Sequence, residues 1–244
     1  FNKRIANAVA LRKLLNLFRA NNSICRLVHG EGDELPGLVV DYYGGVAVIQ
    51  CHSYGMYLQI DFIVEALKNA LPQELTAIYN KSIETLPKRE KVIDGYLFGT
   101  CETPHVALEN GVKYNIDWIN GQKTGFFIDQ RENRALLAKY SHDKKILNTF
   151  CYSGGFSLAA LKNGANEVHS LDSSKKAIEL TDNNIVLNDL ADKHTSIVAD
   201  AMVYIRETGE DFDIVILDPP AFAKHRVGNG AEFQTLTATA ISGW

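Results

Sequence analysis

The sequence contains no apolar run long enough to span a lipid bilayer. Its apolar stretches are of strand length, as around residues 212–217, and fall far below the roughly 20 residues that a transmembrane helix requires. No signal peptide opens the chain either, because charged residues recur through FNKRIANAVALRKLLNLF, a pattern that predicts an amphipathic helix. We therefore expect a protein with no membrane partner.

Cysteine is scarce, and its spacing does not suggest a metal site. The four cysteines are widely separated, with no C-x-x-C pair and no histidine at an interval typical of zinc sites. The seven histidines show no metal-binding spacing among themselves. We therefore predict no bound metal and a reduced, cytoplasmic location.

The chain also lacks an excess of positive charge. It has 25 lysines and arginines against 29 aspartates and glutamates, for a net charge of -4. This balance argues against a protein that coats nucleic acid, although an enzyme with a local basic groove stays possible. With 244 residues, 46% of them hydrophobic, the chain can bury the core of one large or two modest domains.

The first 108 residues predict a helix followed by a small domain of mixed α and β structure. Apolar positions at helical spacing continue to about residue 22, and we interpret residues 1–24 as a connecting helix. In residues 25–108, the stretch LPGLVVDYYGGVAVIQCHS predicts a β-hairpin that turns at Gly44-Gly45. We expect this second segment to form a small α+β domain.

From residue 109 onward, strands alternate with helices. The stretches KKILNTF, EVHSLD, HTSIVAD and FDIVILD are typical of buried strands, and helix-like stretches such as FSLAALKNG and AMVYIRET separate them. This alternation is characteristic of βαβ units with right-handed crossovers. We therefore predict that residues 109–244 form an α/β domain around a doubly wound, Rossmann-like parallel sheet.

Glycine and aspartate follow the strands of this predicted sheet. Gly154-Gly155 come after the first strand, and Asp172, Asp200 and Asp218 close the next three. The carboxyl ends of parallel strands meet at one edge, where ligands bind. The glycines let the backbone approach a ligand closely, and Asp172 lies about 20 residues further on, where an acidic side chain can accept from ribose hydroxyls. The pattern indicates a ligand that contains a nucleoside.

The dinucleotide fingerprint G-x-G-x-x-G is absent, because FCYSGGFS lacks its first and third glycines. The acidic residues suit S-adenosylmethionine better, with its cationic sulfonium and amino groups near carboxylates, its ribose on Asp172 and its adenine amino group near Asp200. Simpler interpretations remain open: Gly154-Gly155 could form only a tight turn, and the two aspartates could cap the helices that follow them.

The fourth strand leads into the sequence DPPAF. Pro219 and Pro220 remove two N–H donors and fix the backbone after Asp218. We predict that Asp218, Pro219 and Pro220 position a flat base beside the methyl donor. Ala221 separates the second proline from Phe222, and this difference from the Asp/Asn-Pro-Pro-aromatic box disfavours an exocyclic amine as the methyl acceptor.

Four collinear motifs resemble one family. RLVHGEGDELPGLVVDYYG, GQKTGFFIDQRENR, LNTFCYSGGFS and DPPAF are together similar to the 23S ribosomal RNA large-subunit methyltransferase I family over most of the chain. Those enzymes have an N-terminal PUA domain, a central EEHH domain and a C-terminal class I methyltransferase domain. The resemblance implies S-adenosylmethionine-dependent formation of 5-methylcytosine in 23S ribosomal RNA.

Carried over by position, the resemblance implies the residues of a cofactor site. One segment contributes Lys123, Thr124, Phe126, Asp129, Gln130 and Arg131, and the turn after the first strand contributes Asn148, Phe150, Tyr152, Ser153, Gly154 and Gly155. Asp172, Asp200 and Asp218 complete the predicted set.

The sequence also departs from the family. No Ser-Cys-Ser motif with the nucleophilic cysteine is present, and none of the four cysteines can be assigned that role. We expect the chain to begin after the PUA domain and to end before the remaining strands of the methyltransferase domain, as an incomplete and inactive fragment. A homodimer is a further expectation. The alternatives are methylation of another ribosomal RNA atom, such as a guanine nitrogen, and a noncatalytic RNA-binding protein on the same scaffold.

Overall fold

The computed structural model describes residues 1–87 and 91–219. Its contacts divide the chain into two compact units, the first from Phe1 to Leu136 and the second from Leu137 onward. Within the described residues, no helix is both long enough and apolar enough to cross a membrane.

The first unit is built around a five-stranded sheet. Its strands, which lie in chain order across the sheet, are β1 (Ile24–His29), β2 (Leu38–Tyr43), β3 (Val46–Cys51), β4 (Ala77–Asn80) and β5 (Gly95–Phe98). Strands β3 and β4 are parallel, and the other neighbours are antiparallel. The predicted hairpin is confirmed, because Tyr43 pairs with Val46 across Gly44 and Gly45, which both have positive φ.

The helices that pack near this sheet in sequence order are α1 (Asn2–Leu14), the short α2 (Tyr54–Tyr57) and α3 (Ile60–Ala70). Helix α1 ends at Leu14, whereas the sequence predicted a helix that continued to about residue 22. It ends in a Schellman motif, in which Asn16 adopts a φ of 56° and Leu17 N–H donates to the Arg12 carbonyl at 2.9 Å. Its buried face contributes to the core of the first unit, whereas the sequence predicted a connecting helix over residues 1–24.

A second hairpin follows, formed by β6 (His105–Glu109) and β7 (Val112–Ile116). It is hydrogen-bonded to the segment before β1, since Ser23 N–H donates to the Leu108 carbonyl at 2.8 Å and Gly111 N–H to the Asn21 carbonyl at 2.7 Å. These bonds join the hairpin to the first unit, which extends to Leu136.

A buried ionic cluster fixes the end of this hairpin. The Glu109 side chain is only 3% exposed and accepts from Arg134 Nε at 2.7 Å and Arg134 Nη2 at 2.9 Å. Arg131 Nε donates to the same carboxylate at 3.2 Å. Both arginines lie on helix α4 (Arg131–Ala138). The charge of Glu109 is therefore compensated within the first unit, as a buried carboxylate requires.

The second unit contains the predicted βαβ succession. Its strands are β8 (Lys145–Thr149), β9 (Glu167–Asp172), β10 (His194–Val198) and β11 (Ile214–Leu217), and its helices are α5 (Gly155–Lys162), α6 (Lys175–Leu187) and α7 (Ala201–Glu207). The strand order is β10-β9-β8-β11, and every neighbouring pair is parallel. The predicted α/β class and parallel sheet are confirmed.

A chain of buried polar side chains crosses the sheet of the second unit. Asn148 Nδ2 donates to Ser157 Oγ at 2.9 Å, Ser157 and Ser170 share a 2.6 Å hydrogen bond, and His194 Nε2 contacts Ser170 Oγ at 2.7 Å. This series of hydrogen-bonded side chains connects β8, α5, β9 and β10. Each of the named side-chain atoms has a hydrogen-bond partner, so none of these atoms is buried without one.

We predict that removal of the Glu109 carboxylate destabilises the protein strongly. A Glu109→Ala variant leaves two arginines facing the vacated position, one of them buried, and should lower the free energy of unfolding by about 3–5 kcal/mol. A matched control is Glu65→Ala, which removes the exposed pair with Lys68 and should cost about 0.5 kcal/mol or less. Urea denaturation measures both values, and equal losses would contradict this account.

We also predict a pH-dependent loss of stability through His194. Burial lowers its pKa from 6.5 to about 4, with a further lowering by nearby His169 and an opposing effect of Asp182. The unfolded chain therefore binds the proton more readily, so the contribution of His194 to stability is present above about pH 6.5 and lost as the pH falls towards 4.

The measurement is the free energy of unfolding at about pH 7 and about pH 5 for the wild-type protein and for His194→Gln, which cannot titrate. We expect a smaller pH-dependent loss in the variant. The control is His142→Gln, at an exposed histidine, which should keep the wild-type difference. An unchanged pH dependence in His194→Gln would contradict the prediction.

Candidate functional site

The candidate site lies at the carboxyl edge of the parallel sheet in the second unit. Strand β8 lies between β9 and β11. The chain runs outward from β8 through β9 to β10 and then returns to β11 on the other side of β8, so the direction of strand order reverses at this point. The register aligns Thr149 with Leu171 on one side and with Leu217 on the other. Such reversals create the crevice in which doubly wound sheets bind ligands. The fold therefore locates the expected ligand position at the turn after β8.

This turn has an unusual backbone. Phe150, Tyr152 and Gly154 adopt positive φ values of 54°, 48° and 72°. Bulky side chains rarely occupy this region, because their Cβ atoms approach the backbone too closely. Two aromatic residues in such a conformation must be held by their surroundings.

The Asp172 carboxylate provides one part of that support. Its Oδ2 accepts from the Tyr152 backbone N–H at 3.1 Å, and its Oδ1 accepts from the Ser174 N–H at 2.9 Å. Each carboxylate oxygen can accept more than one hydrogen bond. The carboxylate is therefore fixed in orientation, and it has acceptor capacity for hydroxyl groups such as those of a ribose.

Helix α6 provides the other part, through two residues that sequence analysis did not identify. Thr181 Oγ1 donates to the Tyr152 carbonyl at 3.1 Å, and Asn184 Nδ2 donates to the Ser153 carbonyl at 3.0 Å. Both side chains are fully buried. The signal in the sequence was their spacing of one helical turn on the apolar face of α6, where polar residues are unexpected.

Thr181 also explains the glycine at position 154. A Cβ atom built on Gly154 would lie 2.7 Å from Thr181 Cγ2, closer than two carbon atoms can approach. Together with its positive φ, this contact requires glycine. Gly155 begins helix α5. The Gly-Gly pair thus forms the tight turn that the sequence analysis gave as the simpler interpretation. This turn is also where the sequence predicted a ligand.

The remaining aspartates differ in their surroundings. Asp200 is the N-cap of α7, with Oδ1 accepting from Met202 N–H at 2.8 Å and from Val203 N–H at 3.1 Å. The capping interpretation is therefore confirmed for Asp200, whereas Ser174 caps α6 in place of Asp172. Asp218 is exposed and directly follows β11. Pro219 is the last residue that the structure describes, so Pro220 lies outside the described residues.

The second predicted segment, from Lys123 to Arg131, belongs to the first unit. Lys123 Nζ forms an ion pair with both Asp129 oxygens at 3.0 Å and lies 4.1 Å from the centre of the Phe127 ring. Burial acts to raise the pKa of Asp129, but hydrogen bonding to Lys123 and its positive charge outweigh burial and lower the pKa below its usual range. Both charged groups are partly exposed.

Other side chains of this segment contact the first unit itself. Phe126 packs against Tyr114, with ring centres 4.7 Å apart, and the Arg134 guanidinium lies 4.7 Å from the Phe126 ring. Arg131 donates to Glu109 and to the Ile24 carbonyl. Gln130 accepts from Asn133, and Thr124 contacts Asp41 and Tyr43. Phe126 and Thr124 are buried, so their side chains face the interior of this unit.

The four cysteines all lie within the described residues, and the pKa of each thiol is raised. Burial raises the pKa of Cys25 to about 12, of Cys51 to about 11 and of Cys151 to about 12. Burial and the nearby Glu102 also raise the pKa of Cys101. A thiol must ionise to act as a nucleophile. The raised pKa disfavours the thiolate in all four residues.

The sequence was compared with known proteins. Ribosomal RNA large subunit methyltransferase I of Aeromonas hydrophila is 41% identical over 209 residues, which cover 82% of this chain and 52% of that protein. The protein of the same name from Tolumonas auensis is 38% identical over 234 residues, which cover 93% of this chain and 58% of that protein. The chain thus spans little more than half the length of these curated relatives.

Solved structures and a family profile agree with this result. A candidate SAM-dependent methyltransferase from Streptococcus mutans has a TM-score of 0.78 at 28% identity, over 90% of this chain and 57% of that one. A crystal structure of a methyltransferase complexed with SAH has a TM-score of 0.79 at 29% identity, over 91% of this chain and 58% of that one. The profile of S-adenosylmethionine-dependent methyltransferases matches residues 26–237. The chain therefore belongs to the family of S-adenosylmethionine-dependent methyltransferases.

Proposed function

We propose that this chain is part of an enzyme that transfers a methyl group from S-adenosylmethionine to large-subunit ribosomal RNA, at C5 of a cytosine in 23S ribosomal RNA. Family membership and the names of the relatives support the reaction class and the kind of substrate. The observation that carries the proposal is the strained turn after β8, which Asp172, Thr181 and Asn184 hold in place.

The residues of the second unit suit the methyl donor. The Asp172 carboxylate is fixed and can accept from two ribose hydroxyls, and Asp200 lies after the neighbouring strand, where it can accept from the adenine amino group. Gly154 removes the side chain that would obstruct a close backbone approach. When bound, S-adenosylmethionine supplies an electrophilic methyl group beside these residues.

The family resemblance also assigns the segment from Lys123 to Arg131 to the methionine end of the methyl donor. Lys123 can pair with the carboxylate of the methionine moiety, and Asp129 with its ammonium group, because both side chains are partly exposed and oppositely charged. Asp218 and Pro219, which follow β11, are proposed together with Pro220 to orient the cytosine. The base must be unpaired or flipped out for this contact.

Cytosine C5 becomes nucleophilic only when a thiolate adds to C6. Because a raised pKa disfavours the thiolate in all four cysteines, we assign the nucleophile to a Ser-Cys-Ser motif, as the family resemblance implies. After methyl transfer to C5, a base removes the C5 proton, the C5–C6 double bond re-forms, and the thiolate leaves.

We further propose that the first unit contains the small domain that the family resemblance calls EEHH, in an enzyme that also has a PUA domain. Its partner is 23S ribosomal RNA, two copies associate as a homodimer, and the protein acts in the cytoplasm. The resemblance supports the domain and RNA assignments, and the widely spaced cysteines favour the reducing cytoplasm.

We predict that Asp172→Ala weakens binding of S-adenosylmethionine at least about tenfold, because hydrogen bonds to a charged group contribute roughly 1.5–3 kcal/mol. Calorimetric titration of the wild-type chain and the variant measures this change. Asp192→Ala, at an exposed position in the same unit, is the matched control and should bind as the wild type does. Failure of a folded wild-type chain to bind, or wild-type affinity in Asp172→Ala, would contradict the proposed site.

We also predict a covalent complex with RNA that contains 5-fluorocytidine. The full reading frame would be incubated with S-adenosylmethionine and a 23S fragment carrying the analogue. Fluorine at C5 cannot leave as a proton does, so the cysteine stays attached to C6, and denaturing electrophoresis detects the adduct.

Unsubstituted RNA is the control for this trapping experiment, and the methylated nucleoside is identified by mass spectrometry. Methylated guanine without an adduct would favour the nitrogen-methylating alternative. Absence of both methyl transfer and adduct, by a protein that binds the RNA, would favour the noncatalytic alternative.

A further inference from the structure

The carboxylate of Asp41 is completely buried in strand β2 of the first unit. It accepts from Arg26 Nε at 2.9 Å and from Arg26 Nη2 at 3.0 Å, a bidentate ion pair. It also accepts a 2.6 Å hydrogen bond from the Thr124 hydroxyl. Burial of a carboxylate is costly unless it is paired and hydrogen-bonded. The contact with Thr124 is therefore part of what compensates Asp41.

Thr124 belongs to the segment proposed to contact the methyl donor, but its side chain faces the core. Its hydroxyl shares a 2.7 Å hydrogen bond with Tyr43 in addition to the bond with Asp41, and the residue is 1% exposed. A hydroxyl has one proton to donate, and Asp41 as a carboxylate can only accept. Thr124 thus donates to Asp41 and accepts from Tyr43, and both roles are satisfied within the first unit.

The backbone on either side of Thr124 requires such an anchor. Lys123 has a φ of 51° and Gly125 a φ of 110°, so two consecutive reversals flank the buried threonine. A non-glycine residue in this region is strained. Lys81 Nζ contributes a second attachment, with a 2.5 Å hydrogen bond to the Gly121 carbonyl. The loop is therefore held in one conformation by side chains from the five-stranded sheet and the segment that follows β4.

We propose that Asp41 is a positioning residue for the methyl donor, which acts through the Thr124 hydroxyl to hold Lys123 and Asp129 in the arrangement that binds the methionine moiety. The inference rests on the proposed function of the Lys123–Arg131 segment and adds a residue that does not itself touch the ligand. A loop that is ordered before binding does not lose conformational entropy during binding, so the anchor raises affinity.

The first test compares variants at position 124. Thr124→Val keeps the shape and removes the hydroxyl, and it should weaken S-adenosylmethionine binding about tenfold in calorimetry. Thr124→Ser retains the hydroxyl and should restore most of the affinity. The matched control is Thr85→Val, which removes a 2.6 Å bond to the Cys51 carbonyl elsewhere in the same unit. It should lower thermal stability without a change in affinity.

The second test uses two aspartates that each form a bidentate ion pair with an arginine. Asp33 pairs with Arg12 in the same bidentate manner, at 2.5 and 2.7 Å, and has no contact with Thr124. Asp41→Asn should raise KM for S-adenosylmethionine in a methylation assay of the full reading frame with kcat unchanged, whereas Asp33→Asn should affect only stability. A purely structural role for Asp41 predicts the same kinetics for both variants.

The outcomes separate this inference from the proposed function. If the wild-type chain binds, Asp172→Ala does not, and Thr124→Val binds as tightly as Thr85→Val, then the positioning role is overturned and the methyl-donor site stands. If the folded wild-type chain does not bind, both are overturned. Weak binding by Thr124→Val with recovery in Thr124→Ser would establish the role.

Discussion

The hydrogen bond from the Tyr152 backbone to the Asp172 carboxylate links the first two strands of the parallel sheet where they reach the proposed site. The turn after β8 has two aromatic residues at positive φ, and without external bonds it would relax to an ordinary strand-to-helix connection. The same carboxylate orders the start of the next connection through Ser174. One acidic side chain therefore helps to fix the geometry of two loops, and its proposed contact with the ribose is a third use of the same oxygens.

Buried polar side chains hold neighbouring charged or carbonyl groups in place in both units. In the first, Glu109 compensates two arginines of helix α4, and Asp41 compensates Arg26 while it holds Thr124. In the second, Thr181 and Asn184 bind carbonyl groups of the turn. A buried ion pair is not in itself strong evidence of added stability, but these polar groups specify direction, because a hydrogen bond fixes an angle as well as a distance. Hydrogen bonds with fixed directions are useful in loops whose groups must be held in one arrangement.

Local pattern was sufficient to predict the sheet of the second unit, the hairpin at Gly44-Gly45 and the position of Asp172 and Asp200 after their strands. Each of these depends on neighbouring residues in the chain.

The end of helix α1 was not predicted, since apolar spacing continues past the left-handed residue Asn16. The burial of Thr124 and the role of Thr181 were also missed. Both depend on partners far away in sequence, namely Asp41 for Thr124 and the Tyr152 carbonyl for Thr181, and a single sequence does not reveal such pairs.

The contact between Gly154 and Thr181 also has an evolutionary consequence. A residue with a side chain at position 154 needs both tolerance of positive φ, as asparagine has, and a smaller neighbour at position 181. A side chain at position 154 alone is unfavourable, because it clashes with the Thr181 methyl group. Thr181→Ser removes that methyl group and keeps the hydroxyl that donates to the Tyr152 carbonyl. Neutral drift at position 154 therefore depends on an earlier change at position 181, so the turn and helix α6 evolve together.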